Sequence, residues 1–94
     1  MNVLSTQEID NKLKELPDWQ TKDNSIQRSY TLKNFDQALD FVNKVGEAAQ
    51  KADHHPDIFL HGWNKVDITL STHSAGGVTE NDINMAQQIE KLSQ

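Results

Sequence analysis

The sequence predicts an α+β fold in which a four-stranded antiparallel sheet carries three helices packed on one face, in the order α-β-β-α-β-β-α. Three observations predict it. Three segments repeat apolar residues at three- and four-residue steps, the spacing of a half-buried helix. Short segments between them alternate apolar and polar residues, the spacing of a strand. The strand segments come in adjacent pairs joined by short turns, which is how antiparallel hairpins are written.

Ser5 or Thr6 caps a first helix running to about Leu16, with Ile9, Leu13 and Leu16 as its apolar stripe. Glu8 stands three residues after Ser5, the spacing of a capping box, and Pro17 ends the helix. Asp18 to Lys22 and Ser25 to Leu32 read as strands around a turn at Asp23-Asn24, with Ile26, Arg28 and Tyr30 alternating against Gln27, Ser29 and Thr31. Asn34 caps a long second helix from Phe35 to about Ala52. Its expected buried face is Phe35, Ala38, Leu39, Val42, Val45, Ala49 and Ala52. Asp57 to Trp63 and Lys65 to Thr72 form a second hairpin, in which Val66, Ile68 and Leu70 oppose Asp67, Thr69 and Ser71. After a loop at Gly76-Gly77, Thr79-Glu80-Asn81-Asp82 fits a capping box and opens a last helix carrying Ile83, Ala86, Ile89 and Leu92.

The 94 residues are expected to form a single domain, residues 1–94. A chain this small buries only about 60–65% of its unfolded surface, so pairing with further copies is expected. The net charge of −5 offers no basic stripe for phosphates, which argues against direct nucleic-acid binding. Without cysteine there are no disulfides and no thiolate metal sites. Met1 to Thr6 lack a basic and apolar leader pattern, and no apolar run approaches the ~20 residues of a membrane span. A soluble cytoplasmic protein with no membrane contact is expected.

All four histidines fall between Asp53 and Asp82. Imidazole is the side chain best suited to exchange protons near neutrality. Pro56 disfavours helix at His55, so His54 and His55 stand at a helix C-terminus, where the macrodipole favours a cation. They read either as proton donors or as caps on the last carbonyls. His73 closes a strand on the side of Thr69 and Ser71. Its weight comes from the hairpin, which can bring that strand end toward His54. His61 lies mid-strand and reads as structural or surface. Metal is a weak reading, because adjacent histidines rarely chelate one ion and neither H-x-H nor H-x-x-x-H occurs. Trp63 reads as core or as an apolar wall against a flat ligand. Asp82 reads as a cap able also to steady the site.

Taken together, His54-His55-Pro56, an aromatic Trp63, His73 and Asp82 at these spacings resemble the signature of the pterin-4a-carbinolamine dehydratases. Asn64 to His73 and Glu80 to Asn84 resemble the same family. The resemblance implies dehydration of a 4a-hydroxytetrahydropterin to the quinonoid dihydropterin, in support of tetrahydrobiopterin recycling, without metal or organic cofactor. It implies His54, His55 and His73 as the catalytic set, and Asp53, Ser71, Thr72 and Ser74 with the three histidines as the pterin-binding set. Gln50, Trp63 and Asp82 would support them. The family usually carries a charged residue, often Glu, where this chain has Gln50. It also implies a homodimer or homotetramer, paired through sheet edges and helices. Apolar residues on both sides of the second hairpin (Ile58 and Leu60, Phe59 and Trp63) fit a sheet with little exposed face. Animal relatives double as dimerisation cofactors of a transcription factor, so a non-catalytic binding or assembly module on the same fold is the alternative.

Overall fold

The computed structural model describes residues 2–93. It contains α1 (Thr6–Lys12), β1 (Gln20–Lys22), β2 (Ser25–Thr31), α2 (Phe35–Ala52), β3 (Asp57–His61), β4 (Lys65–Leu70) and α3 (Glu80–Leu92). The expected order of elements is the observed one. All neighbouring strands pair antiparallel in the spatial order β1-β2-β4-β3, so β1 and β3 are the edges.

Alternation puts Ile26 and Tyr30 of β2 and Val66, Ile68 and Leu70 of β4 on the buried face, against Ala38, Phe41, Val45, Ile83, Met85, Ala86 and Ile89 of the helices. The N-termini of α2 and α3 are satisfied in ways the sequence announces. Asn34 accepts from Gln37 N–H at 2.8 Å, and Thr79 with Asp82 forms a capping box. Asp53 and Ser93 close the two C-termini by backbone hydrogen bonds.

Four expectations are corrected. The first helix gives way after Lys12 to a 3₁₀ turn, Leu13–Glu15, rather than continuing to Leu16. The tighter turn swings Leu16 and Trp19 into the core before β1, which starts at Gln20 and not at Asp18. The buried stripe of α2 is Ala38, Phe41, Val45 and Ala49, whereas Phe35 is 45% and Leu39 41% exposed and Ala52 is exposed too. Phe35, Leu39 and Val42 form a second stripe rotated by roughly 80° at 3.6 residues per turn. Two apolar stripes on one helix merge into a single broad face when only spacing is read. The fourth correction concerns the second hairpin. β3 ends at His61, and Gly62 and Trp63 make the turn with φ of 54° and 60°. The outer face of that hairpin is not covered, because Phe59 is 61% and Trp63 58% exposed.

Away from the histidines, one polar cluster ties α3 to the sheet. Glu90 Oε1 accepts from Trp19 Nε1 at 2.8 Å and from the Tyr30 hydroxyl at 2.7 Å, and pairs with Arg28. Burial pushes the Glu90 carboxyl up, but hydrogen bonds from Arg28, Tyr30 and Trp19 outweigh it and hold the group below its ordinary value. Burial, followed by the Glu90 contact, raises the Tyr30 phenol.

Candidate active site

The β3–β4 register aligns Asp57 with Thr69. Continued outward by three residues, the same register sets His54 opposite Thr72. The segment before β3 and the segment after β4 therefore meet at one end of the sheet, beside the N-terminus of α3.

Each segment is turned there by its own local chemistry. Asp53 adopts the left-handed conformation (φ 50°, ψ 42°), which aspartate tolerates better than most residues, and reverses the chain at the end of α2. The His54 N–H then donates back to the Ala49 carbonyl at 3.1 Å. On the other side, Thr72 pairs with Gly77 across a tight turn, in which the Ala75 and Gly76 N–H groups donate to the Thr72 carbonyl. Gly76 takes φ 79° in this turn. At Gly77 a Cβ would lie 2.9 Å from Val3 Cγ1, so the N-terminal segment, hydrogen-bonded through Leu4 to Val78, leaves no room for a side chain without yielding.

Asp82 is the centre of the arrangement. Its carboxylate is fully buried, and His54 Nε2 lies 2.5 Å from Oδ1. Oδ2 accepts from the Thr79 N–H at 2.9 Å and the Thr72 hydroxyl at 2.8 Å. With Thr72 donating to Asp82, the 2.7 Å contact between the two threonine hydroxyls is donated by Thr79. A buried carboxylate is tolerated when its lone pairs are filled by donors, as here. Its Oδ1 fixes the His54 proton on Nε2 and leaves Nδ1 as the second nitrogen. His55 is held differently. Its Nε2 lies 2.6 Å from Gln50 Oε1 near the surface, so with Gln50 accepting, Nδ1 is again the second nitrogen.

His73 and Ser74 are exposed in the turn directly after Thr72, beyond the end of β4. Asp53 is exposed beside His54. Ser71 donates to the Asn24 carbonyl at 2.9 Å, and the Thr72 side chain faces inward to Asp82. Asp53, His54, His55, His73, Ser74, Gln50 and Asp82 are thus gathered at one end of the sheet. Trp63 is not. It stands in the β3–β4 turn at the other end, roughly 20 Å away at ~3.3 Å per strand residue. His61 also lies outside, stacked on Phe59 with ring centroids 4.7 Å apart and 3.0 Å from Asp67, off the line a hydrogen bond needs. Sequence reasoning missed Thr79 as a member of the Asp82 network, although its capping role was legible. Among the described residues, no three acidic or histidine side chains are grouped as a metal-binding set.

This fold and this pairing of a buried carboxylate with an imidazole define a class of small α+β proteins with a histidine-rich sheet end. Residues 2–92 match the family model described as pterin 4 alpha carbinolamine dehydratase. The chain belongs to that family. It is 47% identical over 89 residues to a provisionally named pterin-4-alpha-carbinolamine dehydratase of Picosynechococcus sp., covering 95% of this chain and 96% of that protein. A protein of the same provisional name from Cyanothece sp. is 48% identical over 91 residues, covering 97% of this chain and 93% of its own. The crystal structure of a transcriptional coactivator/pterin dehydratase from Brucella melitensis superposes with a TM-score of 0.93 at 40% identity, over 99% of this chain and all of that one. A pterin dehydratase-like protein identified as a RuBisCO assembly factor in the alpha-carboxysome shares the fold with a TM-score of 0.66 at 20% identity, over 80% of this chain and 86% of its own. No helix among the described residues is long and apolar enough to cross a membrane.

Proposed function

We propose that this chain is a dehydratase converting a 4a-hydroxytetrahydropterin into the quinonoid dihydropterin and water. The observation that carries the reading is the His54–Asp82 contact next to His55 and His73 at one sheet end, within a chain of the pterin dehydratase family. The reaction needs little more than placed acid–base groups. The C4a–O bond breaks as an acid protonates the departing hydroxyl, and a base removes the N5 proton so that the N5 lone pair forms the C4a=N5 bond. Each positioned group is worth roughly 10²–10⁴-fold.

His54, His55 and His73 are the proposed proton carriers, with acid and base interchangeable among coupled imidazoles. Asp82 orients His54, and Gln50 orients His55. Asp53, Ser71, Thr72 and Ser74 line the pterin, with Thr72 contributing through its backbone because its hydroxyl serves Asp82. No metal or organic cofactor takes part. The product feeds tetrahydrobiopterin recycling in the cytoplasm, and the working form is a homodimer or homotetramer.

The exposed Phe35–Leu39 stripe of α2 favours a second reading, a non-catalytic assembly module. One experiment separates the two. The rate of 4a-hydroxytetrahydropterin dehydration is measured with chelator present, for the unaltered chain and for His55→Ala. A chelator-resistant acceleration that falls at least about 10²-fold in the variant supports the enzyme. A folded protein that gives no acceleration over buffer overturns it in favour of the module.

A further inference from the structure

The hydroxyls beside Asp82 form a chain with one direction. An ionised carboxylate only accepts, so the Thr72 hydroxyl donates to Asp82 Oδ2 at 2.8 Å. The Thr72 oxygen is left to accept from the Thr79 hydroxyl at 2.7 Å, and the Thr79 oxygen accepts from the Asn81 N–H at 3.3 Å. Thr72, Thr79 and Asp82 are all buried, so each of these groups depends on the others for its partner. Capping α3 uses only the lone pairs of the Thr79 hydroxyl. Its proton is not needed by the helix, and it points into the site. Thr72 meanwhile has a second task. Its N–H donates to the Gly77 carbonyl at 2.9 Å, and its own carbonyl accepts from the Ala75 and Gly76 N–H groups. The turn that carries His73 is therefore built on the backbone of the residue whose side chain holds Asp82.

We propose that Thr79 is a positioning residue, whose hydroxyl proton locks the Thr72 side chain and so holds His54 and His73 in one fixed relation. A threonine side chain chooses among three staggered χ1 wells. Turning Thr72 to another well would leave the Thr79 proton and an Asp82 lone pair without partners in a buried place, which is costly. With Oγ1 fixed, the backbone that leads on to His73 is fixed as well. His54 lies on the other side of the same carboxylate, 2.5 Å from Oδ1. Two imidazoles from different segments are thus referred to one carboxylate, His54 directly and His73 through Thr72. His55 stands outside the chain, because Gln50 holds it. The assignment rests on the proposed dehydratase reading for its effect on rate, but not for its geometry. In that reaction acid and base must face one substrate together, and a misplacement of about 1 Å can cost roughly 10²-fold.

The test compares Thr79→Val, Thr72→Val, both together, and Thr79→Ser, which keeps the hydroxyl. The first readout is the set of histidine ring-proton resonances in the NMR spectrum. Those of His54 and His73 should shift together in Thr79→Val and in Thr72→Val, and stay in place in Thr79→Ser. Those of His55, and of His61 at the other end of the sheet, should not move. A shift of His54 alone, or of neither, would overturn the link to His73, and a shift of all four would mean a loosened fold and overturn it too. The second readout is dehydration kinetics. Thr79→Val should lower kcat by up to about 10²-fold with KM little changed. The double variant should lose no more than the worse single, because both changes break one chain. Losses that multiply would make Thr79 a helix cap only, and would overturn the proposal. If Thr79→Val does not fold, Thr79→Gly removes the hydroxyl while capping nearly as well, and takes its place in both readouts. An unaltered chain without dehydratase activity would instead refute the dehydratase reading, and the histidine spectra would still decide the link.

Discussion

Asp82 carries the most consequence of any single residue. Replacing it by Asn keeps the shape but removes the charge and sets an amide N–H₂ against either His54 or the Thr72 and Thr79 donors. Asp82→Asn is expected to cost about 1–3 kcal/mol in denaturant unfolding, the price of mismatched buried donors. Under the dehydratase reading it should lower kcat more than it raises KM, because the His54 ring is no longer held in one orientation and tautomer. Equal effects on both would place Asp82 in binding alone. Gln50 gives a second residue-scale test. Gln50→Glu adds a carboxylate 2.6 Å from His55, which favours the protonated ring. The pH–rate profile should move to higher pH, and no movement of either limb would remove Gln50 from the site. Asp82 was legible in the sequence because capping patterns are local, whereas Gln50 entered only through the resemblance to the family. The inward turn of the Thr72 hydroxyl and the distance of Trp63 were not legible, since both depend on where a hairpin ends.

At the scale of elements, α3 is anchored to the sheet at its far end by Glu90, which joins Trp19, Arg28 and Tyr30. Its carboxyl is held below the ordinary value of 4.5, so its contribution is present above that value and is lost as pH falls through the lower folded one. Glu90→Gln is therefore expected to destabilise the fold by about 1–3 kcal/mol near neutrality. The gap to the unaltered protein should close on acidification, as urea titrations at several pH values would show. A gap independent of pH would mean that packing, and not charge, holds this end of the helix. None of this cluster was legible from periodicity. Trp19 read as part of a strand, Arg28 read only as a member of the alternation with Ile26 and Tyr30, and Glu90 drew no reading, because a charged pair formed across the fold leaves no mark on local spacing. Phe41 was missed for a related reason: two apolar stripes on α2 compete, and only the packed sheet selects one of them.

For the whole molecule, element order and hairpin pairing were readable because short connections force neighbours in sequence to be neighbours in space. The exposure of Phe59 was not readable, since alternation along β3 does not say which face the helices leave open. If the working form is the proposed homodimer or homotetramer, folding is linked to association, and the melting temperature should rise with protein concentration. Phe59→Asp, which puts a charge on an exposed apolar position of the β3 edge, should weaken that dependence. A concentration-independent melt of the unaltered protein would argue for a self-sufficient monomer. The Asp82 carboxylate has one more consequence, concerning motion. It closes the first turn of α3 and grips His54 at once, so the two cannot loosen independently. When that turn frays, the imidazole is set free while the sheet is still intact. Opening of the helix start, followed by amide exchange, then becomes a clock for how often the site is disarmed in an otherwise native molecule.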